Sequence, residues 1–276
     1  MTPENDNWKE VPWYGKFFYH IFPFRRGVVF GNLRRVFGGT LSEEEILVMA
    51  QSYWAHFARF FMEWMLSPFR SRKRKESLVR VENIESPFKA HTWDKGILLL
   101  TAHFGNWEVA TVSGIGQHPQ FKGLLHFVRR AMKPKWFNDF ITRRFRRAGF
   151  GTVGHSGSLE EILGLLETGN IVVFVMDQHA SGREGVVVDF CGYPAATFKS
   201  LAILALSTGA PVIPTSTWRE PDGSHVLRFE DPLPLLQHEK VSEEIRLNTR
   251  SYNEAIEKML MRHPEQWIWM HRRWKV

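Results

Sequence analysis

The chain reads as an α/β protein, a central mostly parallel or mixed sheet flanked by helices and preceded by an aromatic and basic helical region. Three observations predict it. Short apolar runs recur at 97–101, 124–128, 171–176, 210–214 and 226–229, each the length of a strand. Helix-period stretches at 136–147 and 158–168 separate several of them, the alternation that builds parallel sheets. Finally, the runs at 97–101 and 171–176 are almost wholly apolar, as strands buried on both faces are.

Taken in order, residues 13–37 interleave Trp13, Tyr14, Phe17, Phe18, Tyr19, Phe22 and Phe24 with Arg25, Arg26, Arg34 and Arg35. The pattern suits an amphipathic element on an anionic bilayer, and equally a helix packed on the domain. Ser42-Glu43-Glu44-Glu45 matches a capping box and opens a helix carrying Ile46, Met49, Tyr53, Phe57, Phe60 and Phe61. Arg70, Arg72, Lys73, Arg74 and Lys75 follow Pro68, either gripping lipid phosphates or forming a solvated loop. A second capping box is expected at Ser158-Leu159-Glu160-Glu161.

No linker, repeat or low-complexity segment divides the 276 residues, so one domain spans 1–276, with 1–75 its N-terminal helical, membrane-associating region. The excess of 36 Lys+Arg over 29 Asp+Glu gives a charge of +7 and calls for an anionic partner. No nucleic-acid-binding motif is visible, while eleven tryptophans favour a membrane surface. No apolar run approaches the ~20 residues of a spanning helix, and residues 1–10 do not resemble a signal peptide. A protein of this composition that works at a membrane lies on it. The lone Cys191 excludes an internal disulfide framework and a thiolate metal cluster, and no metal-ligand motif is present.

Chemistry concentrates after the first buried run, in His103-Phe104-Gly105-Asn106-Trp107-Glu108. Imidazole accepts a proton near neutral pH, and a nearby carboxylate can fix its tautomer. The five-residue spacing brings the two together only if the chain turns between them. Gly105 tolerates positive φ, and Asn106 is a good N-cap for a helix from Trp107. Asp177 and Gln178 stand at the end of the 171–176 run and can line the same cleft. Residues 190–197 read as a small-residue turn. Gly154-His155-Ser156-Gly157-Ser158 imitates a nucleophile elbow, but Ser158 replaces the last glycine and the segment reads as a loop without strand-turn-helix setting.

These segments together resemble the bacterial lipid A late acyltransferase family, of the lauroyl and myristoyl transferase type, a branch of the lysophospholipid acyltransferase-like proteins. Its signature of His, four residues, then Glu or Asp is similar to His103–Glu108. Val128-Arg129 with Lys133-Pro134, Asp177-Gln178, residues 190–197, residues 208–214 and residues 267–275 resemble later blocks in family order. The resemblance implies a glycerol-phosphate-acyltransferase-like fold and an enzyme without cofactor, an acyltransferase for groups other than aminoacyl. Fatty acyl would pass from acyl carrier protein or coenzyme A thioester to a hydroxyl of a lipid A-type glycolipid or phospholipid, on the cytoplasmic face of the inner membrane. His103 would be general base and Glu108 would orient its ring. Backbone N–H groups at the Gly105 turn or Arg129 would hold the oxyanion; Arg129 is alternatively an acceptor-phosphate ligand. Asp177, Gln178 and Asn106 would line the substrate site. Transfer of another carrier-linked group, such as aminoacyl, or a non-catalytic lipid-binding role are the alternatives. Relatives usually begin with a spanning helix, which is not seen here, and Cys191 and Lys133 depart from the family's usual Phe and Asn.

Overall fold

The computed structural model describes residues 1–91, 95–155 and 157–275. Helices come first: α1 (Trp13–Ile21), α2 (Arg26–Phe37), α3 (Glu43–Leu66) and α4 (Arg72–Glu76). The α/β portion then runs β1 (Val79–Glu82), α5 (Glu85–His91), β2 (Ile97–Thr101), α6 (Trp107–Ile115), β3 (Leu125–Arg129) and α7 (Lys135–Arg147). It continues through β4 (Gly151–Gly154), α8 (Leu159–Glu167), β5 (Ile171–Val175), β6 (Gly185–Phe190) and β7 (Tyr193–Phe198). Last come α9 (Ser200–Thr208), β8 (Val212–Arg219), β9 (His225–Phe229) and α10 (Val241–Arg262).

Seven strands form one sheet in the order β1-β9-β8-β2-β5-β3-β4, mixed because β8 and β9 pair antiparallel while the remaining pairs are parallel. The even-numbered residues Leu98 and Leu100 of β2 join a core with Val172, Phe174, α2, α3, α9 and α10, whereas Ile97 and Leu99 join Ile171, Val173, Ile115 and Phe121 on the other face. Burial on both faces is why β2 and β5 show no polar alternation. Each such aliphatic side chain contributes ~1.5–3 kcal/mol when fully buried.

The capping box at Ser42 forms, Ser42 Oγ accepting from the Glu45 N–H and Glu45 from the Ser42 N–H. The one expected at Ser158 does not, because Ser158 sits at φ −104°, ψ 14°, outside the extended region a capping side chain needs. Two further expectations change. Residues 190–197 are mostly strand β7, paired with β6 through a tight turn at Cys191 (φ 56°) and Gly192 (φ 81°), the positive-φ pair a hairpin favours. The elbow-like segment lies between β4 and α8 after all, so its setting is strand to helix; Ser156 lies outside the described residues.

The helical region is partly core and partly free surface. Gly15 lets α1 cross α3 closely, since a Cβ there would lie 2.6 Å from the Ala55 Cβ. Phe18, Tyr19 and Phe30 pack inward, while Trp13, Phe17, Ile21 and Phe24 stay exposed. The basic stretch after Pro68 contains α4, whose Arg72, Lys73 and Arg74 stand in solvent. Among the described residues no helix is long and apolar enough to cross a membrane.

Candidate active site

Neighbouring parallel strands build the site by register. Thr101 of β2 lies opposite Val175 of β5, so the residues two further on, His103 and Asp177, leave the sheet side by side. Asp177 is fully buried; its Oδ1 accepts the His103 Nδ1–H at 2.9 Å and its Oδ2 accepts the His103 backbone N–H at 2.9 Å. Trp267 Nε1 donates to the same Oδ2 at 2.8 Å. With Nδ1 committed as donor, Nε2 carries the lone pair, and the 19% exposed ring presents it to the cleft. Burial alone would lower the His103 pKa, but the Asp177 charge and hydrogen bond outweigh it and raise it. Burial likewise works against the Asp177 carboxylate, and His103 with Trp267 holds its pKa below the usual value.

The turn after His103 is clamped from two sides. Gly105 takes φ 53°, and a Cβ on it would lie 2.6 Å from the Thr217 carbonyl oxygen of β8. Thr217 Oγ1 donates to the Phe104 carbonyl at 2.7 Å, and the Gly105 N–H donates to the Gln266 carbonyl at 3.0 Å. Beneath it, Asn106 Oδ1 caps α6 at the Val109 N–H (3.2 Å), while Nδ2 donates to Glu63 Oε2 at 3.0 Å. Arg219 grips Glu63 bidentately at 2.8 and 2.7 Å, and its Nη1 donates to His56 Nδ1 at 3.0 Å. This buried ion pair fixes the base of the turn.

The expected contact between Glu108 and the imidazole is not made. Glu108 opens the first turn of α6 and faces α3 and α7, where it pairs with Arg144 Nε at 2.6 Å and accepts from Trp64 Nε1. Burial raises its pKa, with Arg144 and Trp64 working against that rise. The ring's carboxylate partner is Asp177. Asn106 is fully buried with both amide atoms engaged, so it supports the turn and does not line the cleft. The backbone N–H groups of His103, Phe104 and Gly105 are bonded to Asp177, Ala102 and Gln266, which removes them as oxyanion donors. Arg129, at the end of β3, donates to Thr142 Oγ1 and Asn138 Oδ1, both at 2.9 Å, and so ties the strand to α7. Gln178 is half-buried beside Asp177; its carbonyl accepts from Arg273 at 3.4 Å and its side chain has no hydrogen bond among the described residues.

Residue types alone gave no signal for Arg144, Trp64 or Glu63, which reach the turn from other elements. His271 is another such neighbour. Its Nε2 accepts the His179 N–H at 2.8 Å, and burial lowers its pKa to about 4. An aromatic wall closes the other side, with Trp107 edge-on to His103 at 4.9 Å and Phe60 stacked on Trp107 at 4.5 Å. Among the described residues no group of three His, Cys, Asp or Glu side chains gathers that could hold a metal ion. The geometry suits proton removal from a hydroxyl brought against Nε2.

The family model described as bacterial lipid A biosynthesis acyltransferase matches residues 13–276. The phosphatidylinositol mannoside acyltransferase of Mycolicibacterium smegmatis is 28% identical over 70% of this chain and 62% of its own length. The lipid A biosynthesis palmitoleoyltransferase of Escherichia coli is 25% identical over 91% of this chain and 79% of its own. The lauroyltransferase of the same organism is 24% identical over 95% and 83%. A match that runs from the first residue of α1 to residue 276 shows that the chain belongs to the bacterial lipid A biosynthesis acyltransferase family, as an acyltransferase acting on lipid acceptors.

Proposed function

We propose that the chain moves a fatty acyl group from an acyl carrier protein or coenzyme A thioester to a hydroxyl of a membrane glycolipid or phospholipid. The observation that carries this reading is the His103–Asp177 pair, which leaves Nε2 as the acceptor at the mouth of the cleft. In the reaction, Nε2 takes the hydroxyl proton as the oxygen attacks the thioester carbonyl. The C–S bond then breaks, and the leaving sulfur recovers the proton from the imidazolium. Asp177 stabilises the imidazolium and fixes the ring, while Glu108 acts through Arg144, holding α7 against α6 beside the cleft. No covalent enzyme intermediate is needed, and burial pushes the Cys191 thiol pKa up, away from nucleophilic use.

Both acceptor classes stay in the proposal, because the relatives above bear the names of lipid A and phosphatidylinositol mannoside enzymes at comparable identity. Attachment to the cytoplasmic face of the inner membrane is proposed through Trp13, Phe69 and Trp136, which are 77%, 86% and 69% exposed. These rings stand on α1, after α3 and on α7; Trp136 meets Phe137, which meets Trp64 of α3, and Phe60 of α3 stacks on Trp107 beside His103. The test is acyl transfer from fatty acyl thioesters into extracted membrane lipids, read by mass spectrometry. His103→Ala should lower kcat by ~10²–10⁴-fold while the fold persists, the range general-base assistance supplies. Near-normal turnover by a folded His103→Ala protein would sink the reading.

A further inference from the structure

A cavity opens two residues beyond Asp177. It measures about 350 Å³ and is lined by His179, Ser181, Gly185, Ala196 and Lys275. No acidic side chain lines it. Glu184, the nearest acid in sequence, is turned to Arg130 at 3.2 Å. Lys275 has no carboxylate within ion-pair distance among the described residues.

Behind the wall lies a stronger source of positive potential. Arg273 is fully buried, yet its guanidinium meets only neutral acceptors: the Ala196 carbonyl at 2.7 Å, Thr197 Oγ1 at 2.6 Å, and the Gln178 carbonyl and Asn253 Oδ1, both at 3.4 Å. Among the described residues it has no ion pair, and its Nε finds no acceptor. Asp177 and Glu257 reach it only through space and do not offset the cost of its burial, and a buried cation without a directly paired counter-charge favours an approaching anion. His179 lines the cavity; its Nδ1 is buried without a partner and its backbone N–H is held by His271, which leaves Nε2 as the ring nitrogen open to a ligand.

We propose that this cavity is a phosphate subsite, which seats a phosphate group of one of the two co-substrates next to the reacting centre. Lys275 and the His179 ring contact the phosphate oxygens, and Arg273 supplies a fixed field from behind. The naming of the ligand rests on the acyl-transfer reading, because a phosphate stands both on the phosphopantetheine arm of an acyl thioester donor and in the headgroup of a phospholipid acceptor. The closing basic segment thereby acquires a task distinct from that of Trp267, which braces Asp177.

The test starts with binding and needs no turnover. Histidine NMR of the full chain is followed during titration with 4′-phosphopantetheine, glycerol 3-phosphate and their dephosphorylated counterparts. The phosphorylated probes should shift the His179 ring signals and raise its pKa, since a bound anion favours imidazolium. Lys275→Ala should weaken that binding by ~10-fold, as expected for one lost charge-assisted contact, and Lys275→Arg should restore most of it. Kinetics then name the source. A raised KM for an acyl-phosphopantetheine thioester alone assigns the site to the donor, and a raised KM for the phospholipid acceptor alone assigns it to the acceptor. Equal binding of phosphorylated and dephosphorylated probes, or Lys275→Ala with unchanged affinity and both KM values intact, overturns the proposal. A chain that binds phosphate through Lys275 but transfers no acyl group would overturn the transferase reading and leave the subsite standing.

Discussion

At the scale of single residues, the pH dependence of activity follows from which carboxylate touches His103. A general base works in its neutral form, so activity rises with pH through the His103 pKa, which Asp177 raises against the opposing effect of burial. In Asp177→Asn that support disappears, the acid limb of the kcat/KM profile moves to lower pH, and kcat falls by on the order of 10²- to 10⁴-fold as the tautomer is lost. Glu108→Gln should leave the acid limb in place and act through Arg144. An unmoved limb in Asp177→Asn, or a moved one in Glu108→Gln, would return the orienting role to Glu108. The histidine was legible from its type and place after a buried run. Its partner was not, because the pairing depends on the register of two strands and joins residues 74 apart in sequence.

The elements around the turn are held by charge as well as by packing. Burial disfavours the Glu63 carboxylate, but His225 and Arg219 more than compensate and hold its pKa far below the ordinary range. A depressed pKa means that this contribution is fully present above the unfolded carboxylate pKa of ~4.3 and is lost as pH falls through the folded value. Glu63→Gln should therefore cost ~3–5 kcal/mol in denaturant unfolding at pH 7, leaving Arg219 buried without its counter-charge, and the gap to wild type should narrow in acid. A gap independent of pH would show that the pair contributes shape alone. At this scale the sequence was uneven. β2 and β5 stood out as unbroken apolar runs, whereas β1, β4, β6 and β7 were missed, being short, glycine-bearing or partly exposed. Glu63 and Arg219 gave no pattern because they lie 156 residues apart.

Over the whole molecule, the exposed rings of Trp13, Phe17, Phe69 and Trp136 and the cations of α4 are the groups proposed to meet the bilayer. Replacing Trp13, Phe69 and Trp136 together by Ser should reduce co-flotation with anionic vesicles by at least ~10-fold, given the transfer energy of each aromatic side chain, without changing the unfolding midpoint. Flotation equal to wild type would place the membrane contact elsewhere. The alternation of aromatic and basic residues in 13–37 announced an amphipathic surface, but which rings turn outward was settled only by how α1 crosses α3 at Gly15. The clamp formed by Gln266 and Trp267 has a consequence in time. Residues 103 and 177 emerge from the ribosome well before residues 266 and 267 that brace them, so His103 acquires its final geometry only after that later segment has been made. A growing chain thus carries the exposed rings of α1 while His103 still lacks the support that sets its tautomer.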